Sequence, residues 1–173
     1  GVSLIGPAWS DRVQADLARM AGSPTHVGDP DPSAPDDGWA RPALPAVPLA
    51  VAGAHLSGQP LNHQLTDRGA RLVRTTTTAP VYRMLALATE PPKPGLVRVA
   101  DGAGGGAVEV EVWELPPAGF AGFVAALPRP MAIGQVTLAD GTSVPGFLCE
   151  PEAVDGAADI TAAGGWRAHL AGR

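Results

Sequence analysis

The sequence is poor in the residues that mark several common protein classes. It contains a single cysteine, Cys149, so no disulfide can close within the chain and no zinc site built on paired thiols can begin. That usage is compatible with a reducing compartment. Lys and Arg number 12 against 17 Asp and Glu, a net charge of -5. With no basic surplus, and no cluster of Lys and Arg interleaved with aromatics, nucleic acid is not expected as a partner. Long hydrophobic runs are missing too. The apolar stretch over residues 43–56 is broken by proline, glycine and histidine well short of the roughly 20 residues a membrane span needs. The first six residues lack the charged start and apolar core of a signal peptide. The expectation is a cytoplasmic protein with no membrane partner. The Gly102-Ala-Gly-Gly-Gly106 run lacks the lysine and following helix of a phosphate-binding loop, and reads as a flexible turn.

What is present suggests one domain with an irregular lead. Residues 10–21 read as a short helix, capped by Ser10 or Asp11, with Val13, Leu17 and Met20 on one face. Residues 23–47 are dense in Pro, Asp and Gly and too poor in apolar residues to repay ordering entropy, as in a mobile linker. The main domain then begins at residue 48 with a short buried strand ending in a glycine-bearing loop, followed by a helix at 61–68. Strands are expected at 70–73, 82–88, 96–100 and 107–115, with the threonines at 75–78 acting as a separator. Val108-Glu-Val-Glu-Val-Trp113 alternates in period two, which puts the valines on one face and Glu109, Glu111 and Trp113 on the other; the two glutamates read as a solvated face and Trp113 as a core or rim aromatic. A helix fits residues 116–127, where Phe120, Phe123, Val124 and Leu127 recur at helical spacing and Pro117 is tolerable in the first turn. Strands at 133–138 and 143–149 flank Asp140-Gly141, a strong hairpin turn signal. A last helix fits 165–170. This order is α+β rather than alternating α/β, and the scarcity of crossover helices points to a small mixed, largely antiparallel β-barrel with a few short helices.

Gly53-Ala-His-Leu-Ser-Gly58, followed by Pro60-Leu-Asn-His-Gln-Leu65, resembles the first strand and loop of the C-terminal domain of the allophanate hydrolases. Thr78-Ala-Pro-Val-Tyr82, Pro91-Pro-Lys-Pro-Gly95, Val108-Glu-Val-Glu-Val-Trp-Glu-Leu-Pro116, Gly146-Phe-Leu-Cys-Glu-Pro151 and Asp159-Ile-Thr-Ala-Ala-Gly-Gly-Trp166 agree, so the resemblance runs through nearly all of residues 48–173. The opening Gly1-Val-Ser-Leu-Ile-Gly-Pro-Ala-Trp-Ser-Asp11 resembles the close of the amidase-signature domain that precedes it in that family. The resemblance therefore divides the chain into an amidase tail (1–22), a linker (23–47) and the C-terminal domain (48–173), like a piece cut just upstream of the domain junction. The glycine-serine-rich nucleophile region with its lysine, which that amidase domain uses, has no counterpart here, so the fragment is not expected to deaminate allophanate. The resemblance also implies a γ-glutamyl cyclotransferase-like fold. Residues 117–124, where the cyclotransferase glutamate would be sought, contain no carboxylate, which disfavours cyclotransferase chemistry.

The family reaction breaks allophanate down to ammonia and carbon dioxide, and its C-terminal domain is implicated in decarboxylating N-carboxycarbamate. Losing carbon dioxide from a carbamate puts a proton on the departing nitrogen, and an imidazole titrating near neutrality can supply it. His55 is the candidate catalytic residue. Gly53, Ala54 and Leu56 could offer loop N–H groups to a carboxylate. Asn62 and Gln64 could offer amides at the start of a helix, Tyr82 a hydroxyl donor and Lys93 a counter-charge. His63 reads as a solvated helix residue, and a His55/His63 metal pair lacks a third ligand. No metal or cofactor is expected. The expected partners are a small carboxylate or carbamate substrate, the amidase domain of the same polypeptide and a second copy in a homodimer of the full-length enzyme. The rival reading is a non-catalytic assembly module, since carbamates also lose carbon dioxide unaided.

Overall fold

A computed structural model describes residues 44–172. The helix expected at 10–21 and nearly all of the 23–47 linker lie outside the described residues.

The central strand of the larger sheet, β1 (Val47–Val51), lies between two neighbours, which accounts for its uninterrupted apolar run. It pairs antiparallel with β5 (Glu109–Leu115), Leu49 opposite Trp113, and parallel with β7 (Ser143–Cys149) at Ala50 and Gly146. Glycine is needed at 146 because a Cβ there would sit 2.6 Å from Val136 Cγ2 and 3.1 Å from Ala50 Cβ. Strands β2 (Arg71–Thr77) and β6 (Met131–Thr137) complete a five-stranded sheet in the order β2-β5-β1-β7-β6. The β6/β7 hairpin turns at Asp140-Gly141, with Thr137 opposite Ser143 and Gly141 at φ +83°. The Asp-Gly signal and the register it sets are both observed. The threonines form part of β2 instead of separating two strands: Thr75, Thr76 and Thr77 pair with Glu111, Val110 and Glu109. β-branched threonine suits a pleated edge strand.

A second, three-stranded sheet runs in the order β4-β3-β8, from Lys93–Arg98, Tyr82–Leu87 and Ala158–Asp159. The architecture is mixed α+β, with mostly antiparallel pairing and few helices, but the barrel expected from the sequence does not close. β4 approaches β7 through side chains, where Gly95 leaves room for the Cys149 thiol, and not through a shared ladder. The edges β2 and β6 meet at one bridge, Thr78 with Leu138. Without a continuous ladder, the sheets stay open at these seams.

Three helices cover the sheets: α1 (His63–Thr66), α2 (Pro117–Ala125) and α3 (Trp166–Ala171). α2 buries Phe123, and α3 buries Trp166. α1 is only four residues long, shorter than the 61–68 helix expected. Its N-terminus therefore carries little of a macrodipole. None of the described helices is long and apolar enough to cross a membrane.

The strict alternation of β5 misleads about its second face. Glu111 is 2% exposed and Trp113 5%, as buried as their neighbours Val110 and Val112. That face is covered by the loop after β1 and by α3, through a network centred on the Glu111 carboxylate. Its Oε2 accepts from the Ser57 N–H (2.8 Å), the Ser57 hydroxyl (3.0 Å) and Trp113 Nε1 (3.1 Å), and its Oε1 from Arg167. Arg167 also donates to Glu109 Oε1 at 3.0 Å and to the Ser57 carbonyl at 2.9 Å. Burial alone would raise the Glu111 carboxyl. The hydrogen bonds from Arg167, from both donors of Ser57 and from Trp113 outweigh it and hold the group below its ordinary value.

Candidate functional site

The loop that leaves β1 carries residues 52–62 through a series of tight turns. Leu56 N–H bonds the Gly53 carbonyl (2.9 Å), Leu61 N–H the Ala54 carbonyl (2.9 Å) and Gln64 N–H the Leu61 carbonyl (3.0 Å). Leu56, wholly buried, pins the loop to the core. Asn62 Nδ2 donates to the His55 carbonyl at 2.9 Å, so two residues named from the sequence act as scaffold: Leu56 through packing, Asn62 through the backbone of the histidine. Gly53 packs so closely on β4 that a Cβ would fall 2.4 Å from both Cδ and Cγ of Pro94.

These contacts fix His55 at 9% exposure in the wall of a cavity of about 250 Å³. Its ring stacks on Phe147 (centroids 5.0 Å apart, 15° between planes) and meets the edge of Phe123 at 5.2 Å. Its Nε2 lies 3.0 Å from Gln64 Oε1. A carbonyl oxygen can only accept, so Nε2 carries the proton and Nδ1 is the basic nitrogen of the neutral ring. Burial pushes the His55 pKa down, and Lys93 and His63 push the same way, against the bond to Gln64. The imidazole is neutral at pH 7.

The cavity brings together Gly53, Ala54, His55, Gln64 and Lys93 from the sequence-based candidates. Leu56, Asn62 and Tyr82 are not in its lining. Tyr82 is wholly buried in β3, where its hydroxyl accepts from the Thr137 N–H at 2.9 Å. Among the described residues, no acceptor pairs with the N–H groups of Gly53, Ala54 and His55.

Arg68, which sequence reasoning passed over, also lines the cavity. Its Nη1 donates to the Gln64 carbonyl at 2.9 Å, and its guanidinium carbon lies 5.8 Å from the Phe123 ring centre. The lining contains no Asp or Glu, and neither Arg68 nor Lys93 has a carboxylate partner among the described residues. Two cations facing an acid-free, partly enclosed space form a field that favours anions. The described residues hold no grouping of three or more His, Cys, Asp or Glu that could bind a metal ion.

Fold and cavity together define a small α+β domain with a partly enclosed pocket of positive charge beside one buried histidine. Comparison with known proteins specifies it further: residues 47–171 match the family model "Allophanate hydrolase C-terminal domain", and the chain belongs to that family. It is 41% identical over 129 residues to urea amidolyase of Saccharomyces cerevisiae, covering 72% of this chain and 7% of that protein. Among solved structures, Kluyveromyces lactis allophanate hydrolase is 39% identical with a TM-score of 0.71, covering 75% of this chain and 22% of that one. The uropathogenic E. coli-specific protein c4763 is 36% identical with a TM-score of 0.68, covering 74% of this chain and 98% of that one. The chain thus spans less than a tenth of the yeast urea amidolyase it matches, whereas the same fold accounts for nearly all of the E. coli protein.

Proposed function

We propose that this domain binds the N-carboxycarbamate released by an amidase domain of the same polypeptide and assists its decarboxylation, with His55 as the proton carrier. The observation that carries the reading is a buried, neutral imidazole in an acid-free cavity beside two cations without carboxylate partners. N-carboxycarbamate is a dianion. Its decarboxylation breaks one C–N bond, leaves the bonding pair on nitrogen and takes up one proton there, giving carbon dioxide and carbamate. Carbamate then takes a second proton and yields ammonia and a second carbon dioxide.

The geometry suits that proton demand. Burial keeps His55 neutral in the free protein. A dianion held by Arg68, Lys93 and the loop N–H groups of residues 53–55 adds negative charge near the ring and raises its pKa, so the proton arrives with the substrate. Nε2–H remains on Gln64, and the added proton sits on Nδ1, which then serves as the acid. Placing this chemistry in the allophanate step of urea breakdown rests on the names of the relatives.

The test is His55→Ala in the full-length enzyme, with ammonia and carbon dioxide followed separately by stopped flow. Carbon dioxide release should slow at least tenfold and lag behind the first ammonia. Unchanged carbon dioxide release with the domain still folded would refute the role. The second reading, an assembly module, draws on the edge strand β2, where Leu72 and Val73 are 41% and 48% exposed. It predicts that deleting residues 48–173 lowers the oligomeric state of the full-length enzyme, and an unchanged state on sedimentation rejects it.

A further inference from the structure

The cavity has apolar lining that the proposed substrate does not use. Part of its wall is made by Met84 and Leu96, direct partners across the β3/β4 ladder, and by Leu127, Pro128 and Met131 between the end of α2 and the start of β6. At about 250 Å³ the space corresponds to roughly eight waters at liquid density, and a dianion of seven heavy atoms, drawn closer together by covalent bonds than separate waters, leaves part of it unfilled. Two of the chain's three methionines lie in this wall. Methionine is unbranched and adapts its shape to what it packs against.

We infer that the cavity accepts an anion bearing an apolar arm: a carboxylate head at Arg68, Lys93 and His55, and a short alkyl or aryl substituent against Met84, Leu96, Leu127 and Met131. The inference rests on the reading of the cavity as an anion site and extends it from one small dianion to a class of substituted carboxylates. An all-polar ligand leaves this wall facing water, whereas each buried methylene favours binding by about fourfold. Selectivity then comes from the cation pair for the head and from apolar area for the arm.

Isothermal titration of the 173-residue chain with malonate and with n-butylmalonate tests this, together with the same pair on Leu127→Asn, a half-exposed position whose replacement makes the wall polar. n-Butylmalonate should bind at least tenfold tighter than malonate, and the ratio should fall toward one in Leu127→Asn. Malonate binding without a gain from the butyl group overturns the apolar subsite and leaves the anion site standing. A gain that persists undiminished in Leu127→Asn also overturns it, because the arm is then seated elsewhere. Failure of both ligands to bind overturns the anion site and the subsite together.

Discussion

Glu111 anchors the loop that carries His55 through both donors of Ser57, and replacing it with glutamine isolates that anchor. The amide keeps the volume but turns one oxygen into a donor. In either orientation that donor faces other donors: Arg167 on one side, or the Ser57 N–H, the Ser57 hydroxyl and Trp113 Nε1 on the other. Losing one charge-assisted bond and weakening the rest costs about 2–3 kcal/mol. The lower end applies if the amide turns its nitrogen toward Arg167, which is 32% exposed and keeps Glu109 and the Ser57 carbonyl. Urea unfolding of wild type and Glu111→Gln measures the difference. The folded-state carboxyl lies below its ordinary 4.5, so its contribution to stability is complete above that value and is lost as pH falls through the folded pKa. The gap between the two proteins should therefore be full at pH 7 and shrink below about pH 4. Asp140 and Asp159, both held down to about 2, chiefly by hydrogen bonds from Thr142 and Thr161, lose their contributions in both proteins and cancel. A gap under about 0.5 kcal/mol at pH 7, or one that stays constant down to pH 3, would refute this account of the network.

Two further substitutions probe the cavity. Arg68→Gln should weaken malonate binding about tenfold and flatten its salt dependence, because one of two cations in an acid-free space is removed; calorimetry at two ionic strengths reads both, and unchanged affinity removes Arg68 from the site. Gly53→Ala puts a methyl group 2.4 Å from the Pro94 ring. It should destabilise by about 1–3 kcal/mol as β4 or the loop shifts and should weaken malonate binding in the same variant. A stable variant with wild-type affinity would mean that this contact does not set the loop.

How much of this could be read from the chain depended on whether the signal was local. The β6/β7 hairpin is written in Asp140-Gly141 and the alternation around it. The inward side of α2 is written in Phe120 and Phe123, although the helix ends at Ala125, short of Leu127. What covers the second face of β5 is not written there: Glu111 becomes a buried carboxylate only because Arg167, 56 residues later, and Ser57, 54 residues earlier, come to it. The open barrel is equally non-local: β4 meets β7 through the Cys149 thiol packed on the Gly95 backbone and not through a ladder. Of the cavity lining, His55, Gln64 and Lys93 were named from the sequence, through residue type, loop setting and the family resemblance. Arg68 was missed because an arginine at the end of a short helix looks like any solvated cation, and its role depends on the absence of acids from residues scattered between Ala52 and Phe147. Phe147 was missed because it reads as one more apolar residue in a strand. Tyr82 was named for its hydroxyl, yet the inward-facing side of β3 takes it into the core, where Thr137 uses that oxygen.

The central claim, that a buried neutral histidine takes up a proton when an anion enters its cavity, is tested most directly by an NMR titration of the His55 ring in the 173-residue chain. Its resonance can be assigned among the chain's four histidines with His55→Gln. The account predicts a pKa below 6.5 in the free protein and an upward shift when malonate saturates the cavity. A free-protein pKa at or above 6.5, or one that malonate leaves unmoved, would contradict it.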